Sequence, residues 1–436
     1  MNRYAKIILS ILFLLSLANL SWNVYNISKQ SLQMDFTAYY TAGEVQKAGK
    51  SIYENQIISD WNLWDGVSVF KHSRFLYPPS VAYIFEVFTL FDYKTAKTLW
   101  NILNVVFCFL SVWVLISTFN LKKDKTSLLV YGILLLNFFP IYTMIERGQI
   151  SGLALLLICF SIKFSYYDNK NILGGIFFAL ATFIKFNLIL ALPFFIVMRK
   201  WKFTKYYLAS MAGLIFLTVL LNGKDATYNY FVNELPRITE YSESGTDEMK
   251  IPSEVLSTYF QMAPEALSFK DKVLYKTEYL SFNSKASLVW AMQGIGITLN
   301  SKLLSPIIYI ILFILSFNVL RNNKQNNYIE FIKWQLILLI ILLSSTFTWV
   351  MNLVWLIPVI LIIINADFKN KESRYLIGFI AVGFVLSALP DNLWRIDKSP
   401  FESFYKLKYV ISEVIIFVSL LWLIKKSSQL KSAASS

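Results

Sequence analysis

Long apolar stretches with at most one charged residue each recur along this chain, and short clusters of Lys or Arg or brief polar breaks end most of them. They cover residues 7–22, 96–119, 127–145, 150–167, 172–198, 206–221, 303–320, 332–349, 352–364, 375–389 and 409–424. A helix that crosses a bilayer needs roughly 20 mostly apolar residues, and lipid forces every backbone group to be bonded within the fold. Composition agrees: 56% of residues are hydrophobic and 16% charged, against about 25% charged in a soluble domain. The fold class expected is an all-α polytopic membrane protein. Residues 1–436 read as one integral membrane domain without an internal repeat.

The formal net charge is +14, which raises nucleic acid as a partner. The basic residues instead sit in short loops: Lys122, Lys123 and Lys125; Arg199, Lys200 and Lys202; Arg321 and Lys324; Lys369, Lys371 and Arg374; Lys425 and Lys426. That is the cytoplasmic excess of membrane proteins. No nucleic-acid partner is expected. Arg3 and Lys6 put the N-terminus inside, and no small-x-small cleavage pattern follows, so the first run reads as a retained helix. Pairing the runs by side gives about 12 spans with both termini cytoplasmic. Residues 172–198 are interrupted by Lys185, which requires either two short helices with Lys185 at the outer turn or a re-entrant pair. Two large outer segments remain, 23–95 and 222–302. The first carries helical spacing over 37–47 and an amphipathic stretch over 52–64, both read as interfacial helices.

This topology sorts the polar residues. Asp35, Arg74, Glu146, Arg147, Gln149, Lys185, Asn283, Ser284, Trp349, Asn352 and Arg395 all fall at outer ends or in outer loops. Ionisable groups at a membrane face a cavity or a partner and mark function by default. Cys108 and Cys159 lie inside apolar runs and read as core residues. His72 is the single histidine, and no Asp-x-Asp pair occurs. No metal or other cofactor is expected.

Asp35 is the first acidic residue of the chain and follows the first apolar run. A carboxylate there caps a helix, faces water, or takes a proton from an attacking hydroxyl. Arg147 and Lys185 suit a phosphate leaving group, the one as a fork and the other as a point charge. Each has a plainer reading. Arg147 pairs with Glu146 or snorkels to headgroups, and Lys185 snorkels to the outer surface. Gln149 caps helix ends or meets a sugar. Tyr77-Pro78-Pro79 is architectural, Trp355 is core, and His72 is a surface-loop residue. An aromatic groove offers room for a polyprenyl tail.

These residues resemble glycosyltransferase family 87, a polyprenol-phosphate-dependent mannosyltransferase-like group of the GT-C superfamily. The likeness rests on Asp35 with Tyr39-Tyr40, on Gly49-Lys50-Ser51-Ile52-Tyr53, and on Tyr77-Pro78-Pro79. It continues through Gly148-Gln149, Ile184-Lys185, Asn283-Ser284 and the segment from Ser344 to Pro358 with Trp349. The resemblance implies a GT-C-like bundle and an inverting transfer of a hexose, mannose in the family's case. The donor implied is a polyprenyl-phosphate sugar, and the acceptor a lipid or glycan hydroxyl on the outer face of the plasma (inner) membrane. Asp35 would be the base. Tyr39, Tyr40, Arg74, Tyr77, Arg147, Gln149, Lys185, Asn283 and Asn352 would line the substrates. The family tends to show histidine where this chain has Met351-Asn352, and an amide carries no proton at neutral pH. Rival readings are a transporter or flippase, a polymerase or ligase of lipid-linked glycans, and a non-catalytic assembly subunit. A transporter would place charge deep in several spans, whereas here it gathers at outer ends.

Overall fold

The computed structural model describes residues 3–29, 33–53, 75–167, 169–236, 286–294, 296–297, 299–321, 327–346, 348–365, 371–390 and 401–433. Among these residues the chain is helical, with no strand. The principal helices are α1 (Arg3–Lys29), α2 (Met34–Lys47), α3 (Tyr93–Thr118), α4 (Lys125–Leu136), α5 (Phe139–Arg147), α6 (Ser151–Ile162) and α7 (Asn171–Ile184). They continue as α8 (Trp201–Asn222), α9 (Ser301–Arg321), α10 (Asn327–Ser344), α11 (Ile357–Asn365), α12 (Lys371–Ala388) and α13 (Phe401–Ala433).

Five described helices are long and apolar enough to cross a membrane: α1, α3, α8, α9 and the Leu407–Lys426 part of α13. A sixth crossing follows if α4 and α5, bent by 50° where they meet, act as one. The remaining apolar helices are shorter. The protein is therefore a multi-pass membrane protein. On its lipid side α1 exposes Ile7, Ile8, Ile11, Leu14 and Leu15.

Local sequence explains where helices begin and end. Asp92 starts α3 by accepting from the Thr95 amide at 3.1 Å and its hydroxyl at 2.6 Å. Asp124 does the same for α4 through Ser127, at 3.1 and 2.6 Å. Both satisfy amide donors that a helix N-terminus leaves open. The apolar run 127–145 was expected to be one span, and it is two helices. Asn137 stops the first turn-by-turn ladder by turning its amide to Ile133 O at 2.8 Å and Ser16 Oγ at 2.7 Å, and Pro140 opens the second helix. Proline removes a donor that an interior turn needs but a first turn does not. The run 332–349 likewise ends early, at Ser344. Hydroxyls in the Ser344–Thr348 stretch take up main-chain carbonyls, with Ser344 Oγ on Ile340 O at 2.7 Å and Thr348 Oγ1 on Leu342 O at 2.5 Å. The first apolar run, expected to end near Trp22, continues as helix to Lys29.

The centre of the bundle is α10 from Glu330 onward together with the segment from Val350 to Ile362, in which every residue is buried. A helix apolar all round belongs in an interior of this kind. Small residues bring other helices close. A Cβ on Gly175 of α7 would lie 2.7 Å from the Tyr207 amide nitrogen of α8, which is the close approach small residues allow in membrane packing. At one end of the bundle Glu330 of α10 bridges Lys200 at 3.3 Å and Lys333 at 3.1 Å. Elsewhere Lys122 Nζ donates to the final α11 carbonyl region, at Ile364 O, 2.9 Å.

Glu413 of α13 is fully buried, and neither carboxyl oxygen has a hydrogen-bond partner among the described residues. Its neighbour Ser412 ties α13 to α12 through Gly383 O at 2.6 Å. An unsatisfied buried polar group destabilises by about 1–3 kcal/mol, and an apolar group of like size removes that term. Glu413→Met is therefore expected to raise the thermal midpoint of the detergent-solubilised protein. A lowered midpoint would show that the carboxyl stabilises the fold.

Candidate active site

Helix α2 carries the acid. Its N-cap residue is Gln33, which makes no side-chain capping bond, and Asp35 lies within the first turn. Asp35 is thus not the residue that caps this helix. A carboxylate in a first turn is favoured by the helix dipole, yet a surface position would serve that purpose equally, and Asp35 is only 5% exposed.

The start of α2 is held from three sides. The Gln33 amide nitrogen donates to Tyr93 Oη at 3.1 Å, and its side chain donates to Asn101 Oδ1 at 2.7 Å and to Ile145 O. Thr37 Oγ1 meets the same tyrosine oxygen at 2.6 Å. Below it lies Gly148, which ends α5 with φ +70°. A Cβ there would sit 2.6 Å from Phe36 Cβ and 2.8 Å from the Gln33 amide carbon. Glycine is required both for the left-handed turn and for this approach. The Gly148 carbonyl accepts from Trp100 Nε1 at 2.7 Å, and that indole stacks on Phe36. Phe85 and Phe88 complete the aromatic wall behind the helix.

The turn after Gly148 presents Gln149. Its Oε1 accepts three bonds: from Tyr39 Oη at 3.1 Å, from the Ile150 amide at 3.1 Å, and from Lys185 Nζ at 3.0 Å. Tyr39 also shares a 2.8 Å hydrogen bond with Tyr77. Lys185 stands where α7 gives way to the 3₁₀ turn Phe186–Ala191, and its φ of −138° breaks the helix there. Its ammonium reaches Asn352 Oδ1 at 3.5 Å, and Ser151 Oγ donates to that same oxygen at 2.9 Å. The charge of Asp35 is felt by Tyr39, Tyr77 and Lys185. Burial pushes both phenols upward and Asp35 adds to the rise, so each stays protonated and able to donate.

The structure thus brings together Asp35, Tyr39, Tyr77, Gln149, Lys185 and Asn352. Arg147, buried at the end of α5, lies two residues from this hub with its guanidinium 6.0 Å from the Trp349 ring centre. Tyr40 goes elsewhere: its hydroxyl donates to Phe91 O at 2.9 Å, and its ring meets Tyr93 edge-on. Arg74 and Asn283 lie outside the described residues, as do His72, Ser284, Arg395 and most of the amphipathic stretch 52–64. Tyr77 is braced by Tyr53, whose hydroxyl donates to Tyr77 O at 2.5 Å and whose ring stacks on Tyr230. Sequence reasoning missed Gln33, Tyr93 and Asn101 as anchors. A signal did exist, since Lys97, Asn101 and Asn104 recur at helical spacing within an otherwise apolar run.

These features define a multi-pass helical membrane protein with an acid, two cations and several neutral acceptors gathered where its helices end or break. The sequence model of glycosyltransferase family 87 matches residues 75–299, and the chain belongs to that family. It is accordingly a membrane glycosyltransferase, with sugar donor and acceptor as its substrates. No curated protein matches the chain. Gly148, Gln149 and Lys185 fall inside the matched region, while Asp35 and Asn352 lie outside it.

Two variants check the geometry. Gly148→Ala forces its Cβ against Phe36 and is expected to destabilise by about 1–3 kcal/mol, read as a lowered thermal midpoint. Tyr39→Phe removes two hydrogen bonds, to Gln149 and to Tyr77, and is expected to lower stability by about 1–3 kcal/mol, read the same way.

Proposed function

We propose that this protein transfers a hexose, mannose first among the candidates, from a polyprenyl-phosphate sugar to a hydroxyl of a lipid or glycan acceptor. The supporting observation is a hydrogen-bonded hub of two protonated phenols and an ammonium gathered around Gln149, with the buried Asp35 near enough for its charge to act on all three and a buried guanidinium two residues along the chain. In this reading Asp35 takes the proton of the acceptor hydroxyl as its oxygen attacks the anomeric carbon. The bond from that carbon to the phosphate oxygen breaks, and polyprenyl phosphate departs with the electron pair. Attack opposite the leaving group inverts the anomeric centre. Lys185 and Arg147 offset the charge that grows on the phosphate. Tyr39 and Tyr77 donate within the same cluster, and Asn352 orients Lys185 or meets the sugar.

The leaving group is a phosphate already carried by lipid, so this chemistry calls for no metal. The rest of the reading is a GT-C-like bundle of about 12 crossings, with its site toward the outer face of the plasma membrane and both termini cytoplasmic. Helix α2 would lie at that outer interface.

The test is transfer by the purified full chain, given radiolabelled polyprenyl-phosphate hexoses and candidate acceptors, beside Asp35→Asn and Asp35→Ala. Loss of a general base lowers turnover by roughly 10²–10⁴-fold, and both variants are expected to show it with the folded fraction unchanged. Wild-type turnover in either variant removes Asp35 from the chemistry. Asn keeps the shape of Asp and much of its capacity to accept, so the pair of variants separates proton transfer from simple packing.

A further inference from the structure

The oxygen of Gln149 is already occupied. It receives Tyr39 Oη, the Ile150 amide and Lys185 Nζ, all between 3.0 and 3.1 Å. A carbonyl oxygen has two lone pairs, so three donors leave it no capacity for a sugar hydroxyl. We propose that Gln149 is a positioning residue, whose neutral carbonyl aims the Lys185 ammonium without cancelling its charge, so that this charge serves the anionic group of the donor. The proposal rests on the reading of Lys185 as a phosphate-binding residue.

The choice of an amide is the informative point. Each of the three groups on that oxygen is a donor, and a carboxylate would accept all three at least as well. At that oxygen glutamate would accept as well as glutamine, although its second oxygen would replace the amide group facing Tyr77. Glutamate would also pair with the ammonium and remove the net positive charge that a phosphate needs. The second acceptor on Lys185, Asn352 Oδ1 at 3.5 Å, is likewise an amide that a carboxylate would replace without change of shape. Two neutral oxygens therefore hold the ammonium from the protein side. The titratable groups acting on it are Asp35 and, through Gln149, Tyr39 of α2, with Tyr77 joined to Tyr39 from the segment before Pro78. The Val350–Leu356 turn offers it the neutral Asn352. Asp35 is a carboxylate whose charge acts on Lys185.

The experiment compares Gln149→Glu with Gln149→Met in the full-length protein in detergent or nanodiscs. Two readouts are taken: the KM and kcat for a polyprenyl-phosphate hexose, and the pH dependence of Lys185 acylation by a water-soluble anhydride, followed by mass spectrometry. Gln149→Glu is expected to keep the folded fraction and to raise KM for the donor about tenfold or more, with a smaller change in kcat. The added carboxylate is expected to shift Lys185 acylation to higher pH. Gln149→Met frees the ammonium from its guide without changing the charge, so kcat falls more than KM rises and acylation does not shift upward. If Gln149→Glu retains both the wild-type KM and the wild-type acylation profile, the proposal is overturned, because a carboxylate in place of the amide then changes nothing at Lys185. If wild-type protein transfers no prenyl-phosphate sugar while Gln149→Glu still shifts acylation, the transfer reading fails and the positioning of Lys185 by Gln149 stands.

Discussion

A lysine ammonium set among apolar helices has to find oxygen, and in this structure it finds the side chain of Gln149. The alternatives are to reach water or to lose its charge, since desolvating a bare ammonium costs several kcal/mol. Satisfying Lys185 joins three parts of the chain that are distant in sequence. Tyr39 comes from α2, Gln149 from the break between α5 and α6, and Lys185 from the end of α7. None of the three makes sense alone. The break after α5 exists because Gly148 adopts a left-handed turn, the end of α7 exists because Lys185 leaves helical geometry, and α2 lies against both.

The placement of α2 is as constrained as the hub it serves. Phe36 rests on Trp100, Trp100 holds the Gly148 carbonyl, and Gly148 lacks the Cβ that would push Phe36 away. Gln33 then ties the first turn to α3 and α5. A carboxylate on this turn is carried by rigid, aromatic, fully buried packing. That is the condition under which a group can be held to the tolerance that positional catalysis demands.

Much of this was legible in the residues before any coordinates. Asp35, Gln149 and Lys185 stand out because polar groups amid apolar runs need a partner, and Gln149 and Lys185 prove to be partners of each other. The membrane class followed from the length of the runs. Other features were not legible. Tyr39 and Tyr40 are adjacent, and only the phase of α2 decides that Tyr39, four residues from Asp35, faces the hub while Tyr40 turns to Phe91. The bend between α4 and α5 required knowing that Asn137 would reach Ser16 on another helix. The anchoring role of Gln33 depends on where α3 and α5 arrive, which a linear pattern of hydrophobicity does not encode. Hydropathy alone also merged helices with the non-helical stretches that follow them, as it did at Ser344.

The brevity of α7 bears on the lipid around it. Its 14 residues rise about 21 Å, against about 30 Å of hydrocarbon in an ordinary bilayer. Its exposed apolar residues, Ile172, Leu173 and Ile176, all lie in the first two turns, and the half next to Lys185 is packed within the protein. A leaflet that meets so short an apolar surface thins to match it. Thinning there draws the headgroup plane inward at the end where α7 begins, and leaves the Lys185 end enclosed by neighbouring helices.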